Sequence, residues 1–298
     1  MDRKTSDAIF AKCVQYLLDG KIVAIKGLGG FHLACDASND AAVARLRKNK
    51  QRSNKAFAIM AKDIDHAKLV CKVNDTEKSL LEGSVRPIIL LQKTKEASNM
   101  LAPSVAMGLP EVGLMLPYTP VQHILLHDFV EAGGKFLVMT SGNIYDNPIL
   151  TDDEKAKHDL ANVADAFLGN NRKILARYDD SVVRIINAAG IEAVQMIRRA
   201  RGYAPMPIKI HRDNPQEIFA TGPEQKSTFA FSRPVTTETD SSKDAKNTEI
   251  FLSQHIGDME NAEIFNSWDK ARQQIKKIFK FNPEKIIYDM HPEYLSTK

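Results

Sequence analysis

The first two-thirds of the chain is a succession of short apolar runs separated by helical stretches, and that alternation leaves few folds open. Lys21–Lys26 (KIVAIK) reads as a buried strand, and FHLACDA from Phe31 as a second. AFAIMA at 56–61, RPIILL at 86–91, KFLVMT at 135–140 and SVVRII at 181–186 are further strands of the same kind. Between them, Ala8 to Leu18 carries helical spacing and ends at Gly20. Ser38 is expected to cap a helix running through Leu46. TPVQHILLHDFVEAGG places Thr119 at an N-cap, Pro120 at the first helical position and Gly133 past the end. Continuous apolar strands interleaved with helices predict an α/β fold on a largely covered sheet.

The texture changes near Arg201. RGYAPMPIKIHRDNP holds prolines in the manner of a linker, so the expected division is a domain over 1–205, a linker over 206–216 and a second segment over 217–298. In the second segment EIFATG, STFAFS and NTEIFLSQ read as strands, followed by a helix and the strand KIIYDM. On the helix Ala262, Phe265, Trp268, Ala271, Ile275, Ile278 and Phe279 mark one apolar stripe. RPVTTETDSSKDAKN, polar and of low complexity, is expected to be a mobile hairpin loop. With no closing helix after the last strand, the second domain looks cut short.

Bulk properties exclude several classes. Of 298 residues 43% are hydrophobic and 26% charged, as in a soluble globular protein. No apolar run reaches the roughly 18 residues of a membrane span, and MDRKTSDAIF lacks a signal-peptide core, so cytoplasm is the expected location and no membrane partner is expected. The net charge of +4 is compatible with phosphate-bearing ligands but too small and dispersed to indicate a nucleic-acid binder. Cys13, Cys35 and Cys71 form no C-x-x-C pair, and buried free thiols are the expected outcome.

Several places could carry chemistry. The turn KGLGGFH has His32 where G-x-G-x-x-G needs its third glycine, and a tight strand-to-strand turn is favoured over a phosphate loop. Arg45, Arg47, Lys48, Lys50, Arg52 and Lys55 run off a helix end towards a buried strand. Such cations can serve the helix dipole, or can bind a triphosphate and stabilise leaving pyrophosphate. In VMTSGN, Thr140, Ser141 and Asn143 follow a strand, with Gly142 allowing close backbone approach. Nucleotide binding and a plain Asx/Ser turn suit that pattern equally. Asp179 and Asp180 could hold Mg²⁺ through substrate phosphates, although an ordinary acidic turn is favoured. His123 and His127, spaced i, i+4, have no obvious third ligand and read as helix-surface histidines rather than a metal site.

The same segments resemble a known family. IVAIKGLGGFHLACDA, Lys50 and Arg52 before KAFAIM, RPIILL, GLMLPYTPVQHILL, VMTSGN, DDSVVR and RRARGYAP occur in the order found in the YrdC-like domain of the HypF hydrogenase-maturation carbamoyltransferases, over residues 5–210. ATGPEQKSTFAF, FLSQHIGDMEN and YDMHPEYLST resemble the opening of that family's carbamoyl-transferring domain. The resemblance implies a YrdC-like twisted mixed-sheet α/β domain followed by a truncated ribonuclease-H/actin-like α/β segment. It implies an enzyme that makes carbamoyl-adenylate from ATP, with Mg²⁺, and carbamoyl phosphate or carbamate. The carbamoyl group then passes to the C-terminal cysteine of a HypE-like acceptor, for cyanide-ligand synthesis in nickel-iron hydrogenase. By the same resemblance Lys50, Arg52, Ser141, Asn143 and Ser181 contact ATP, with Lys50 and Arg52 catalytic and Arg199 or Arg201 reaching the phosphates.

Departures from the family pattern carry expectations too. Ser53 and Ala56 replace two usual prolines, which should loosen the basic loop. The family's acylphosphatase and zinc modules do not precede this region, so complete carbamoyl transfer by this chain alone is not expected. The alternative within the fold is a threonylcarbamoyl-adenylate synthase for tRNA modification. Its threonine-binding segment is replaced here by KGLGGFHL, which leaves Lys26 and His32 as candidate contacts for the carbamoyl substrate. A noncatalytic RNA-binding or interaction protein is a further alternative, to which the +4 charge gives weak support.

Overall fold

A computed structural model of the chain describes residues 3–144, 147–212, 216–235 and 247–298. The chain forms two compact units, Met1–Leu175 with Asp180–Arg198, and Ala176–Asp179 with Arg199–Lys298.

The first unit is built on a nine-stranded mixed sheet. Its strands are β1 (Val23–Lys26), β2 (Phe31–Asp36), β3 (Ala58–Met60), β4 (Ile88–Gln92), β5 (Glu111–Met115), β6 (Leu137–Ser141), β7 (Ala166–Leu168), β8 (Val182–Ala188) and β9 (Ile191–Arg198). They lie in the order β7-β1-β2-β6-β3-β5-β4-β8-β9. β1 and β2 form an antiparallel hairpin across the Gly27–Gly30 turn, so KGLGGFH is the tight turn the sequence favoured. β2 pairs antiparallel with β6 and sets His32 opposite Ser141. Helices Arg3–Leu18 and Pro120–Glu131 contribute Leu17, Leu125, Leu126 and Phe129 to a core shared with Val23, Ile25, Leu137 and Met139. Thr119 caps the second of these helices in a capping box with Gln122, and Gly133 past its end takes a φ of 99°.

Several elements differ locally from the sequence expectations. The first helix begins at Arg3, five residues before the expected start at Ala8. Asn39, not Ser38, caps the helix Asp40–Asn49, its side chain accepting from the Ala42 N–H at 3.0 Å, while the Ser38 hydroxyl donates to Asp36. β5, β7 and β9 were not anticipated. β5 is nevertheless almost wholly buried, and β9 is exposed along nearly all its length. All three cysteines are buried free thiols, and burial pushes each up to about 12. Among the described residues no helix is long and apolar enough to cross a membrane.

The second unit carries a five-stranded sheet in the order β10-β13-β12-β11-β14, formed by β10 (Ile208–Ile210), β11 (Ile218–Ala220), β12 (Ala230–Pro234), β13 (Thr248–Leu252) and β14 (Lys285–Ile287). β10 lies inside the segment read as a linker, and most of the expected hairpin loop between β12 and β13 lies outside the described residues. Helix Ala262–Phe279 lays Ile264, Trp268, Ala271 and Ile275 against Phe219, Phe229, Phe231, Phe251 and Phe281. Ala262 and Ile278, expected on the stripe, are exposed, and Ile264 takes a place the reading had not given it. Gly222 has a φ of 83°, and a Cβ there would stand 1.6 Å from the Thr228 carbonyl oxygen. Gly222→Ala is therefore expected to destabilise this unit by about 3 kcal/mol or more, through left-handed strain and an unavoidable backbone clash. The emission of Trp268, the only tryptophan, followed through thermal unfolding, checks it.

Candidate active site

Helix Asp40–Asn49 ends at Lys50, whose N–H still donates to the Leu46 carbonyl, and Gln51 then turns the chain away with a φ of 55°. The Lys50 side chain, 5% exposed, crosses to the carboxyl end of β6. Its Nζ lies 2.6 Å from the Ser141 carbonyl, 2.6 Å from the Asn143 carbonyl and 2.5 Å from Asn143 Oδ1. The same Oδ1 accepts from Ser141 Oγ at 2.7 Å, and Asn143 Nδ2 donates to the Asn147 carbonyl. Lys50, Ser141 and Asn143, selected from separate motifs, thus form one hydrogen-bonded group. Gly142 admits the backbone of Phe31 here: its N–H donates to the Phe31 carbonyl at 2.6 Å, and a Cβ would stand 2.7 Å from that oxygen.

The basic cluster divides into separate duties. Arg45 pairs with Asp165 at 2.6 Å. Arg47 donates to the carbonyls of Arg52, Lys55 and Ser104, and Arg52 to those of Lys55 and Ala56. Both guanidiniums also lie over the buried Phe57 ring, at 4.6 and 5.2 Å. The loop expected to be loose without its prolines is therefore held by guanidinium–carbonyl bonds. Burial, then the charges of Arg47 and Arg198, pushes the Arg52 guanidinium down to about 10, still protonated at neutral pH.

A second polar group gathers behind the β1–β2 hairpin. Lys26, 5% exposed, meets Asp153 Oδ1 at 2.6 Å and the Asn170 carbonyl at 3.1 Å. His32 Nε2 lies 3.1 Å from Asp180 Oδ2 and 3.4 Å from the Tyr118 hydroxyl. Asp180 stands two residues before β8, five strand positions from β2. In a flat sheet those strands would be about 24 Å apart. The contact therefore requires a strongly twisted sheet that curls over one face. Ser181 is fully buried, its carbonyl accepting from the Ile88 N–H at 2.8 Å.

The other candidates are placed differently. Arg199, in the second unit, donates to the carbonyls of Leu252, Tyr203 and Met206, and burial lowers its pKa. Arg201 is buried, its N–H donating to the Asp179 carbonyl at 3.0 Å. His123 and His127 are exposed on their helix, and Asp180 faces His32. Among the described residues no group of three or more His, Cys, Asp or Glu side chains converges as metal ligands would. Asp153, Asn170 and Tyr118 were missed by the reading. Of these only Tyr118 lay in a noted motif, GLMLPYTP, and no local signal links it to a histidine 86 positions away.

The chain is similar to known proteins over nearly all of its length. Residues 15–200 match the Sua5, YciO and YrdC family model, described as telomere recombination. The chain belongs to that family. Residues 213–298 match a second model, the HypF Kae1-like domain. Carbamoyltransferase HypF2 of Cupriavidus necator is 41% identical over 97% of this chain and 35% of its own length. Carbamoyltransferase HypF of Synechocystis is 37% identical over 95% of this chain and 34% of its own. A crystal structure of full-length HypF in a phosphate- and nucleotide-bound form superposes with a TM-score of 0.84 at 41% identity, covering 97% of this chain and 42% of that one. The chain thus spans about a third of the length of these curated relatives.

Proposed function

We propose that this chain forms carbamoyl-adenylate, as the adenylating part of a HypF-type carbamoyltransferase. The observation that carries the reading is the convergence of Lys50 with Ser141 and Asn143 at the end of β6, in a chain so similar to a nucleotide-bound HypF. In this reading residues 1–205 adenylate, 206–216 link, and 217–298 open the carbamoyl-transferring domain. ATP arrives with Mg²⁺ held largely by its phosphates. Lys50 and Arg52 face the triphosphate, and Ser141 and Asn143 orient the nucleotide. Ser181 and one arginine of Arg199 and Arg201 complete the ATP contacts. Both Ser181 and Arg199 would have to leave the surroundings described above.

Lys26 and His32 are assigned to the carbamoyl group. A carbamate oxygen attacks the α-phosphorus, the bond from that phosphorus to the bridging oxygen breaks, and pyrophosphate leaves with the electron pair. The side chains position the reactants and stabilise charge on the leaving group, so no side-chain nucleophile is needed. The product would pass, within a longer protein in the cytoplasm, to the cysteine thiolate of a HypE-like acceptor.

Pyrophosphate release tests this directly. The folded chain is incubated with Mg-ATP and either carbamoyl phosphate or bicarbonate plus ammonia, each with and without threonine. Release independent of threonine is expected. Release only with threonine would reassign the chain to threonylcarbamoyl-adenylate chemistry, and silence under every condition would remove adenylation from this chain.

A further inference from the structure

Behind the Gly27–Gly30 turn lies an unmet hydrogen-bond acceptor. His32 is 4% exposed, and its Nε2 faces Asp180, itself only 9% exposed. An ionised carboxylate can only accept, so the proton in that contact belongs to Nε2. In the neutral ring Nδ1 is then a bare lone pair. Nδ1 is buried and has no hydrogen-bond partner among the described residues. What faces it is the glycine turn: a Cβ on Gly27 would stand 2.7 Å from Nδ1. The Gly27 N–H cannot serve it, being given to the Gly30 carbonyl at 2.9 Å. Lys26, the residue before this turn, sets a buried ammonium beside the same hairpin.

We infer that His32 selects the substrate by its amino group: with the Gly27–Gly30 turn displaced, Nδ1 accepts a hydrogen bond from the carbamoyl N–H, while Asp180 and Tyr118 act as positioning residues that fix the Nε2–H tautomer. The inference rests on the carbamoyl-adenylate reading and adds to it the basis of substrate choice. An isosteric methyl, as in acetate, has no proton to give, and a buried acceptor left unpaired disfavours it. Nδ1 is buried behind a turn that carries no side chain at Gly27, so it is displacement of backbone alone that would open the acceptor to substrate. Asp180→Asn supplies the critical perturbation. An amide can donate to Nε2, which moves the ring proton to Nδ1 and turns the acceptor into a donor.

The test uses the full chain with ¹⁵N-labelled histidine, His32 being assigned by its loss in His32→Gln, and folding of each variant checked by thermal unfolding and Trp268 emission. Ring nitrogen resonances are recorded with a non-hydrolysable Mg-ATP analogue plus bicarbonate and ammonia, or plus acetate. A neutral Nε2–H tautomer is expected, with an Nδ1 resonance that shifts with carbamate and not with acetate. In Asp180→Asn the carbamate shift should vanish. Carbamate-driven pyrophosphate release should then fall about 100-fold while the nucleotide Kd stays within about twofold. An Nδ1–H tautomer in the parent, equal shifts with acetate, or a parent-like response in Asp180→Asn would each overturn the inference while leaving adenylation standing. Failure of the analogue to bind at all would overturn the adenylation reading and this inference with it.

Discussion

The Lys50→Ala protein is expected to fold, and to release pyrophosphate at least about 100-fold more slowly than the parent. The lysine sits where its charge has two consequences. Its three donors match the Ser141 carbonyl, the Asn143 carbonyl and Asn143 Oδ1, so the ammonium pins the strand end that carries the other nucleotide candidates. The same charge is the one proposed to offset the growing negative charge of pyrophosphate. Removing it leaves oxygens in a buried setting without their cation, at a cost of about 1–3 kcal/mol, too little to unfold a domain of ordinary stability.

Lys50→Arg separates the two roles. A planar guanidinium keeps the charge but cannot aim three N–H groups from one point at three oxygens. If Lys50 acts chiefly on the phosphates, the arginine variant should recover part of kcat. If it acts chiefly by ordering the Ser141–Asn143 strand end, both variants should raise the KM for ATP and recover nothing. Measuring kcat, the KM for ATP and the Tm of parent, alanine and arginine proteins distinguishes these outcomes. An alanine variant within a few-fold of parental kcat would remove Lys50 from the chemistry.

Local patterns carried most of the fold into view. KIVAIK, RPIILL and KFLVMT announce buried strands because their apolar runs are short and bounded, and Thr119 with Pro120 announces a helix start through capping chemistry. β5 escaped because VGLM is brief and interrupted by glycine, so its burial comes from neighbouring strands rather than its own pattern. β10 escaped because prolines surround it and only pairing with β13 makes it a strand. The site was legible as motifs but not as an arrangement. Lys50 and Asn143 lie 93 positions apart, and His32 and Asp180 lie 148 apart. Nothing local encodes those meetings, which depend on sheet order and twist. Residue type alone did not give the surroundings either: Arg199 and Arg52 stand in motifs that suggest phosphate contacts, and in the fold both donate to backbone carbonyls.

Gly142→Ala is expected to lower the stability of the first unit by about 3 kcal/mol and to abolish measurable activity. Glycine is needed here for space. A Cβ would stand 2.7 Å from both the Cβ and the carbonyl oxygen of Phe31, and 2.8 Å from its carbonyl carbon, so the obstruction is backbone that no rotamer change relieves. The surrounding bonds leave little slack. The Gly142 N–H donates to Phe31, the Gly142 carbonyl accepts from Leu150, and the Phe31 N–H donates to the Leu150 carbonyl. Relief must come from parting β2 from the end of β6, where His32 faces Ser141 in register. That movement displaces Ser141 and Asn143 from Lys50 on one side and His32 from Asp180 on the other. For a unit of this size the stability loss corresponds to a Tm lower by about 6–12 °C. Calorimetry and nucleotide titration of the folded variant check both halves, and a variant with parental Tm and parental nucleotide affinity would show that the strand end tolerates the side chain and that its tight seat beside Phe31 is not what orders the site.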